Sequence, residues 1–143
     1  MNQPIRPVIN NTQAPTYKLA KYMNLKLQQV FKLPNTYNIK HTQEIAEDLR
    51  NIRIKETDRI ITPDIKDLYV NLPTNLLLNV TKHWLQMNNN EGTTITQILY
   101  ITKIILEQNY FQYSEAIFKP KKGIAMGSPI SGTMAEVYLP AIC

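Results

Sequence analysis

The sequence predicts an α+β fold in which a small antiparallel sheet is backed by several helices. Stretches near 16–33, 42–52, 74–87 and 93–108 space their apolar residues three and four apart, as one face of a helix requires. Two aromatic, β-prone runs, Tyr110–Tyr113 and Ala116–Phe118, are separated only by Ser114-Glu115, the pattern of a short hairpin. At 143 residues with 43% hydrophobic content, the chain is one domain long and has enough apolar material for one core.

Taken in order, residues 1–15 are rich in Pro, Asn, Gln and Thr, with one β-prone patch at Arg6–Ile9, which predicts an extended leading strand and a turn. A helix follows from Thr16 to about Leu33, with Pro15 suited to its start and Pro34 stopping it. Its expected buried face is Leu19, Tyr22, Met23, Val30 and Phe31. Lys18, Lys21, Lys26 and Lys32 are interspersed and serve either as a solvated face or as a track for phosphates. After the connector Leu33–Asn38, Thr42 reads as the N-cap of a second helix that turns Ile45, Ala46, Leu49 and Ile52 inward as a packing face.

Arg59–Thr62 is β-prone and reads as a strand ending at Pro63 and Asp64. From Thr74, the positions Leu77, Val80, Trp84 and Met87 form a helical stripe, and Asn88–Gly92 breaks it. The next helix, capped by Thr93 or Thr94 and running to about Gln108, places Ile95, Ile98, Leu99, Thr102 and Ile105 on one side. Both helices read as supports for the sheet. Ser128-Pro129 then opens a helix from Ile130 to Leu139.

The formal charge of +5 and a pI near 9.3 suit a polyanionic partner as well as an ordinary basic domain. The single cysteine, Cys143, is the last residue, so no internal disulfide forms and an oxidising compartment gains no support. His41 and His83 stand apart without companion cysteines at zinc spacing and read as structural. No apolar run reaches signal-peptide or membrane-span length, so the expectation is an intracellular protein with no membrane partner, nuclear or cytoplasmic.

Two stretches carry the chemical interest. In Asp64-Ile65-Lys66-Asp67-Leu68-Tyr69-Val70-Asn71-Leu72-Pro73, a carboxylate at a strand end precedes an aromatic and then a helix start. Such an arrangement holds a metal beside a nucleotide, although an aspartate there also serves as a plain turn residue. In Gly123-Ile124-Ala125-Met126-Gly127-Ser128-Pro129-Ile130-Ser131, three of the four glycines (Gly123, Gly127 and Gly132) fall within ten residues, concentrating backbone freedom where a phosphate or base could approach. Lys119-Pro120-Lys121-Lys122, just ahead of it, is the densest positive cluster. A serine-nucleophile reading of Gly127-Ser128-Pro129 lacks a nucleophile elbow and a His and acid partner.

Together these stretches resemble motifs A and B of reverse transcriptases, most closely those of Penelope-like retroelements. Their A motif is an acid, four residues, Phe or Tyr and Asn-x-Pro, matched by Asp64, Tyr69, Asn71 and Pro73. Their B motif resembles Gly-x-Ala-Met-Gly-Ser-Pro-x-Ser, matched from Gly123 to Ser131. Arg6–Ile9 with Pro15–Tyr22 is similar to the segment that precedes motif A, and all three matches keep the family order.

The resemblance implies a partial right-hand polymerase domain over 1–143, with 1–58 leading through the fingers into the palm and 59–139 as palm. It implies RNA template, DNA primer and deoxynucleotides as partners, and Mg2+ as cofactor in a complete site. Asp64 is implied as the catalytic metal ligand, helped by the backbone carbonyl of Ile65. Tyr69 is implied as the ring that excludes a ribose 2′-hydroxyl, a task a flat rigid side chain does by contact; the alternative is a core aromatic. Met126, Gly127 and Arg6 would bind nucleotide, with Arg6 equally readable as a surface arginine. Gly123, Ser128, Pro129, Lys119, Lys121 and Lys122 would meet template or primer.

The family also needs a Tyr-x-Asp-Asp hairpin after motif B, and the 143 residues contain no Asp-Asp pair. Two adjacent cations need several anionic oxygens, so the expectation is a fragment without turnover, lacking that hairpin and the thumb. The alternative is a non-catalytic, basic nucleic-acid-binding remnant.

Overall fold

The computed structural model describes residues 10–32, 41–62, 64–88 and 90–141. Arg6, the Arg6–Ile9 patch, the connector Leu33–Asn38, Pro63 and Cys143 lie outside them. The chain divides into two units, one made of 1–33 with 67–143 and the other of 34–66.

The described part of the larger unit is α+β: five helices and one two-stranded antiparallel sheet. It comprises α1 (Tyr17–Val30), α3 (Leu68–Asn71), α4 (Thr74–Met87), α5 (Gly92–Glu107), β1 (Phe111–Tyr113), β2 (Ala116–Phe118) and α6 (Ser131–Tyr138), which runs into a 3-10 turn at Leu139–Ala141. The smaller unit carries α2 (Thr42–Arg50).

The core of the larger unit is helical. α4 packs against α5 and α6, and α1 packs against α5 and α6. Their meeting faces contribute Met23 and Leu27 from α1, Leu77 and Leu85 from α4, Ile98 and Ile105 from α5, and Met134 and Val137 from α6, all buried. Each such side chain stabilises the fold by roughly 1.5–3 kcal/mol relative to exposure. Polar joints pin these faces: Trp84 Nε1 donates to Val137 O at 3.1 Å, and Thr133 Oγ1 donates to Asn24 Oδ1 at 2.6 Å. His83 packs edge-on to Trp84, with ring centroids 5.7 Å apart.

The hairpin forms as its composition predicts, pairing Phe111 with Phe118 and Tyr113 with Ala116, with Ser114 turning at φ 54°. It lies outside the core: Tyr113 and Ile117 are largely exposed. Helices expected to back a sheet therefore pack chiefly on one another, because the hairpin is too short to cover them.

Several expectations are corrected. The buried line on α1 is Ala20, Met23 and Leu27, while Leu19 and Tyr22 are exposed and Val30 is only partly buried. The contact face is set by the α5 and α6 surfaces against which α1 packs, and not by its own apolar spacing. On α4 the buried line is Leu77, Thr81 and Leu85, with Met87 exposed. His41 and Glu91, not the threonines, occupy the N-cap positions of α2 and α5.

In the smaller unit, α2 buries no residue, and Ile45, Leu49 and Ile52 are exposed instead of packed. Arg59–Thr62 is irregular and not a strand; Ile60 is 77% and Ile61 83% exposed. β-propensity expresses itself only against a partner strand, and among the described residues the only ladder is β1 with β2.

Candidate functional site

The two motif stretches meet inside the larger unit. α3 is a single helical turn, entered through Asp67 at φ 56° and closed by Asn71 N–H donating to Asp67 O at 3.1 Å. Leu72, 1% exposed, anchors its exit in the core. Fifty-odd residues later the chain returns: Ile124 N–H donates to Tyr69 O at 2.9 Å, and Ile124 itself is buried. Two apolar anchors and one backbone hydrogen bond thus hold the glycine-rich bend against the Tyr69 turn.

Gly123 makes this approach feasible. Its φ is +80°, and a Cβ built there would stand 2.5 Å from Val70 O and 2.6 Å from Tyr69 O. The neighbour that requires glycine at 123 is the chain's own backbone. Beyond it, Ser128 N–H donates to Ala125 O, Ser131 N–H to Ser128 O, and Ser131 Oγ to Ala125 O at 2.5 Å. These bonds wind Ala125–Ser131 into consecutive turns that deliver α6. Met126, Gly127, Ser128 and Pro129 remain partly accessible along that winding.

Tyr69 is also partly accessible, with its ring against the edge of the core. Lys122 is exposed, and its Nζ donates to Asn71 Oδ1 at 2.8 Å across 51 residues of sequence. No local pattern foretells that pairing; the only signal for Asn71 is its place in the motif. Lys119 and Lys121 are exposed, Lys119 with its Nζ 5.2 Å from the centroid of the Tyr110 ring. The joint therefore presents a half-open aromatic, a wound backbone and the Lys122 ammonium held at Asn71, which suits binding of an anionic, ring-bearing ligand.

Asp64 and Ile65 belong to the 34–66 unit, in an irregular and exposed segment. Among the described residues, no group of three or more His, Cys, Asp or Glu side chains is disposed to hold a metal ion. One carboxylate and one carbonyl do not by themselves make up a two-magnesium site, which takes several carboxylates on a rigid support. Arg6 lies outside the described residues. Among those residues, no helix is long and apolar enough to cross a membrane.

In comparisons with known proteins, no family model, no curated protein and no solved structure matches the chain.

Proposed function

We propose that this chain is a fingers-palm piece of an RNA-directed DNA polymerase of the reverse transcriptase kind, and that its own 143 residues bind primer, template and nucleotide without turning over. The observation that carries the reading is the joint between the motif-like stretches: Ile124 N–H on Tyr69 O, with Gly123 seated on the Tyr69 and Val70 carbonyls. A polymerase site of this kind requires the sugar-facing aromatic and the template-facing bend to be neighbours. Two stretches matched by chance have no such obligation.

In this reading the Tyr69 ring borders the sugar of an incoming deoxynucleotide and excludes a 2′-hydroxyl by contact. Met126 and Gly127 seat the base, with Met126 contributing packing more than hydrogen bonding. Gly123, Ser128 and Pro129 follow the template strand, and Lys119, Lys121 and Lys122 meet phosphates, adding salt-sensitive affinity. Asp64, with the Ile65 carbonyl, is the metal ligand by resemblance alone. It is one member of a larger donor set, so primer extension is not expected from these residues.

The test is binding of a labelled RNA template with a DNA primer, with and without a nucleotide complementary to the next template position. A complementary deoxynucleotide should tighten the complex, the matching ribonucleotide should not, and Tyr69→Ala should erase that difference. Equal effects of complementary and non-complementary nucleotides would remove the polymerase reading. The exposed cluster Lys119, Lys121 and Lys122 favours one second reading, a basic nucleic-acid-binding remnant. That reading predicts salt-dependent binding indifferent to any nucleotide.

A further inference from the structure

An open groove of about 890 Å3 lies in the larger unit, and none of its lining residues belongs to the Tyr69–Gly123 joint. One wall is the turn leading into α1, with Asn10 and Asn11; the other is the end of α5 and the first strand of the hairpin, with Gln108, Tyr110, Gln112 and Tyr113. Among the described residues, no Lys, Arg, Asp or Glu lines it. Its chemistry is that of aromatic rings interleaved with carboxamides.

We propose that this groove binds the bases of single-stranded nucleic acid. The rings are available, since Tyr113 is 74% and Tyr110 46% exposed although both are large enough to be buried at a gain. Base stacking on such rings tolerates any sequence, because every base has a π-face. The carboxamides offer donors and acceptors together, as base edges do. Among the described residues, charge stands at the rim and not on the lining: Lys119 Nζ is 5.2 Å from the Tyr110 centroid. A strand laid there meets that cation with a phosphate and neutral rings with its bases.

Local contacts brace both walls. Phe111 stacks on Phe118 with centroids 5.5 Å apart, which holds the hairpin. Asn10 Oδ1 accepts from Thr12 N–H at 3.1 Å and from Thr12 Oγ1 at 2.6 Å, which holds the turn. Preorganised walls reduce the ordering cost of binding. A proline-rich peptide also suits an aromatic groove, but it leaves the cation at the rim without a role. The proposal does not depend on the polymerase reading, since its residues lie outside both motif stretches.

The test uses the full chain and fluorescence anisotropy with three probes: a short oligothymidylate, an abasic oligomer of equal length and a proline-rich peptide. The oligothymidylate should bind about tenfold tighter than the abasic oligomer, the scale of one or two stacked bases. Tyr113→Ala should remove that preference without altering the salt dependence, while Tyr113→Phe retains it. Lys119→Ala should make the plot of log affinity against log salt shallower by about one unit. Equal binding of the base-bearing and abasic oligomers would overturn the proposal, as would a Tyr113→Ala chain of unchanged circular dichroism that keeps the preference. Binding of the peptide in place of the oligothymidylate would also overturn it.

Discussion

Replacing Gly123 with alanine is expected to destabilise the chain by about 3 kcal/mol or more. A residue with a side chain at φ +80° costs roughly 1–2 kcal/mol in backbone conformation. The new methyl group would stand 2.5–2.6 Å from backbone atoms of Tyr69 and Val70, which cannot swing aside as the end of a flexible side chain does. The bend must therefore retreat, losing the Ile124 N–H bond to Tyr69 O, about 1 kcal/mol, and part of the burial of Ile124. Against a total stability of about 5–15 kcal/mol, that is a large fraction, and the melting temperature should fall by on the order of 10 °C. The assay is urea unfolding followed by the fluorescence of Trp84, the single tryptophan, which bonds across α4 and α6, with circular dichroism as a second probe. Gly132→Ala is the control: nothing lies within 4 Å of its added carbon, and alanine in α6 should be neutral or stabilise by about 0.5–1 kcal/mol. A Gly123→Ala chain within about 0.5 kcal/mol of the parent, or equal losses at both glycines, would refute the described joint.

Other perturbations follow from the same packing. Thr102 is fully buried, and its Oγ1 has no hydrogen-bond partner among the described residues, so Thr102→Val should be neutral or raise stability by up to about 1 kcal/mol. Thr133→Val, by contrast, removes the donor to Asn24 and should lower stability by about 1–2 kcal/mol, both read from urea midpoints. Lys122→Ala deletes an exposed side chain and its bond to Asn71. It should change stability by less than about 0.5 kcal/mol, while making the salt dependence of primer–template binding shallower by about one unit.

The elements are legible where apolar spacing or aromatic alternation is unambiguous, as in α5, where Ile95, Ile98, Thr102 and Ile105 of the expected face are buried, Leu99 is only partly so, and Leu106 joins them. The hairpin is legible for the same reason. The phase of α1 is not, because Leu19, Tyr22, Met23, Leu25, Leu27 and Val30 together surround most of the helix; the choice of face belongs to its neighbours. α2 shows the converse. Its stripe is clean, yet Ile45, Leu49 and Ile52 stay exposed, since periodicity marks a face without supplying a partner. At the candidate site, composition marks the glycine-rich bend, and the motif resemblance marks Tyr69. Their joining through Ile124, and the pairing of Lys122 with Asn71, depend on contacts across some fifty residues that no local pattern encodes. The groove between the Asn10–Thr16 turn and the hairpin is not legible in the sequence, because its walls are segments far apart along the chain.

Photocrosslinking of the intact chain to a primer–template carrying 5-iododeoxyuridine near the primer end, with the labelled peptides identified by mass spectrometry, tests the polymerase reading most directly. The expected adducts fall on Tyr69 and on the segment 123–129, and they diminish when the complementary deoxynucleotide is replaced by a non-complementary one. Adducts confined to other surfaces, with the Tyr69 turn and the glycine-rich bend unlabelled under conditions where the complex forms, would contradict it.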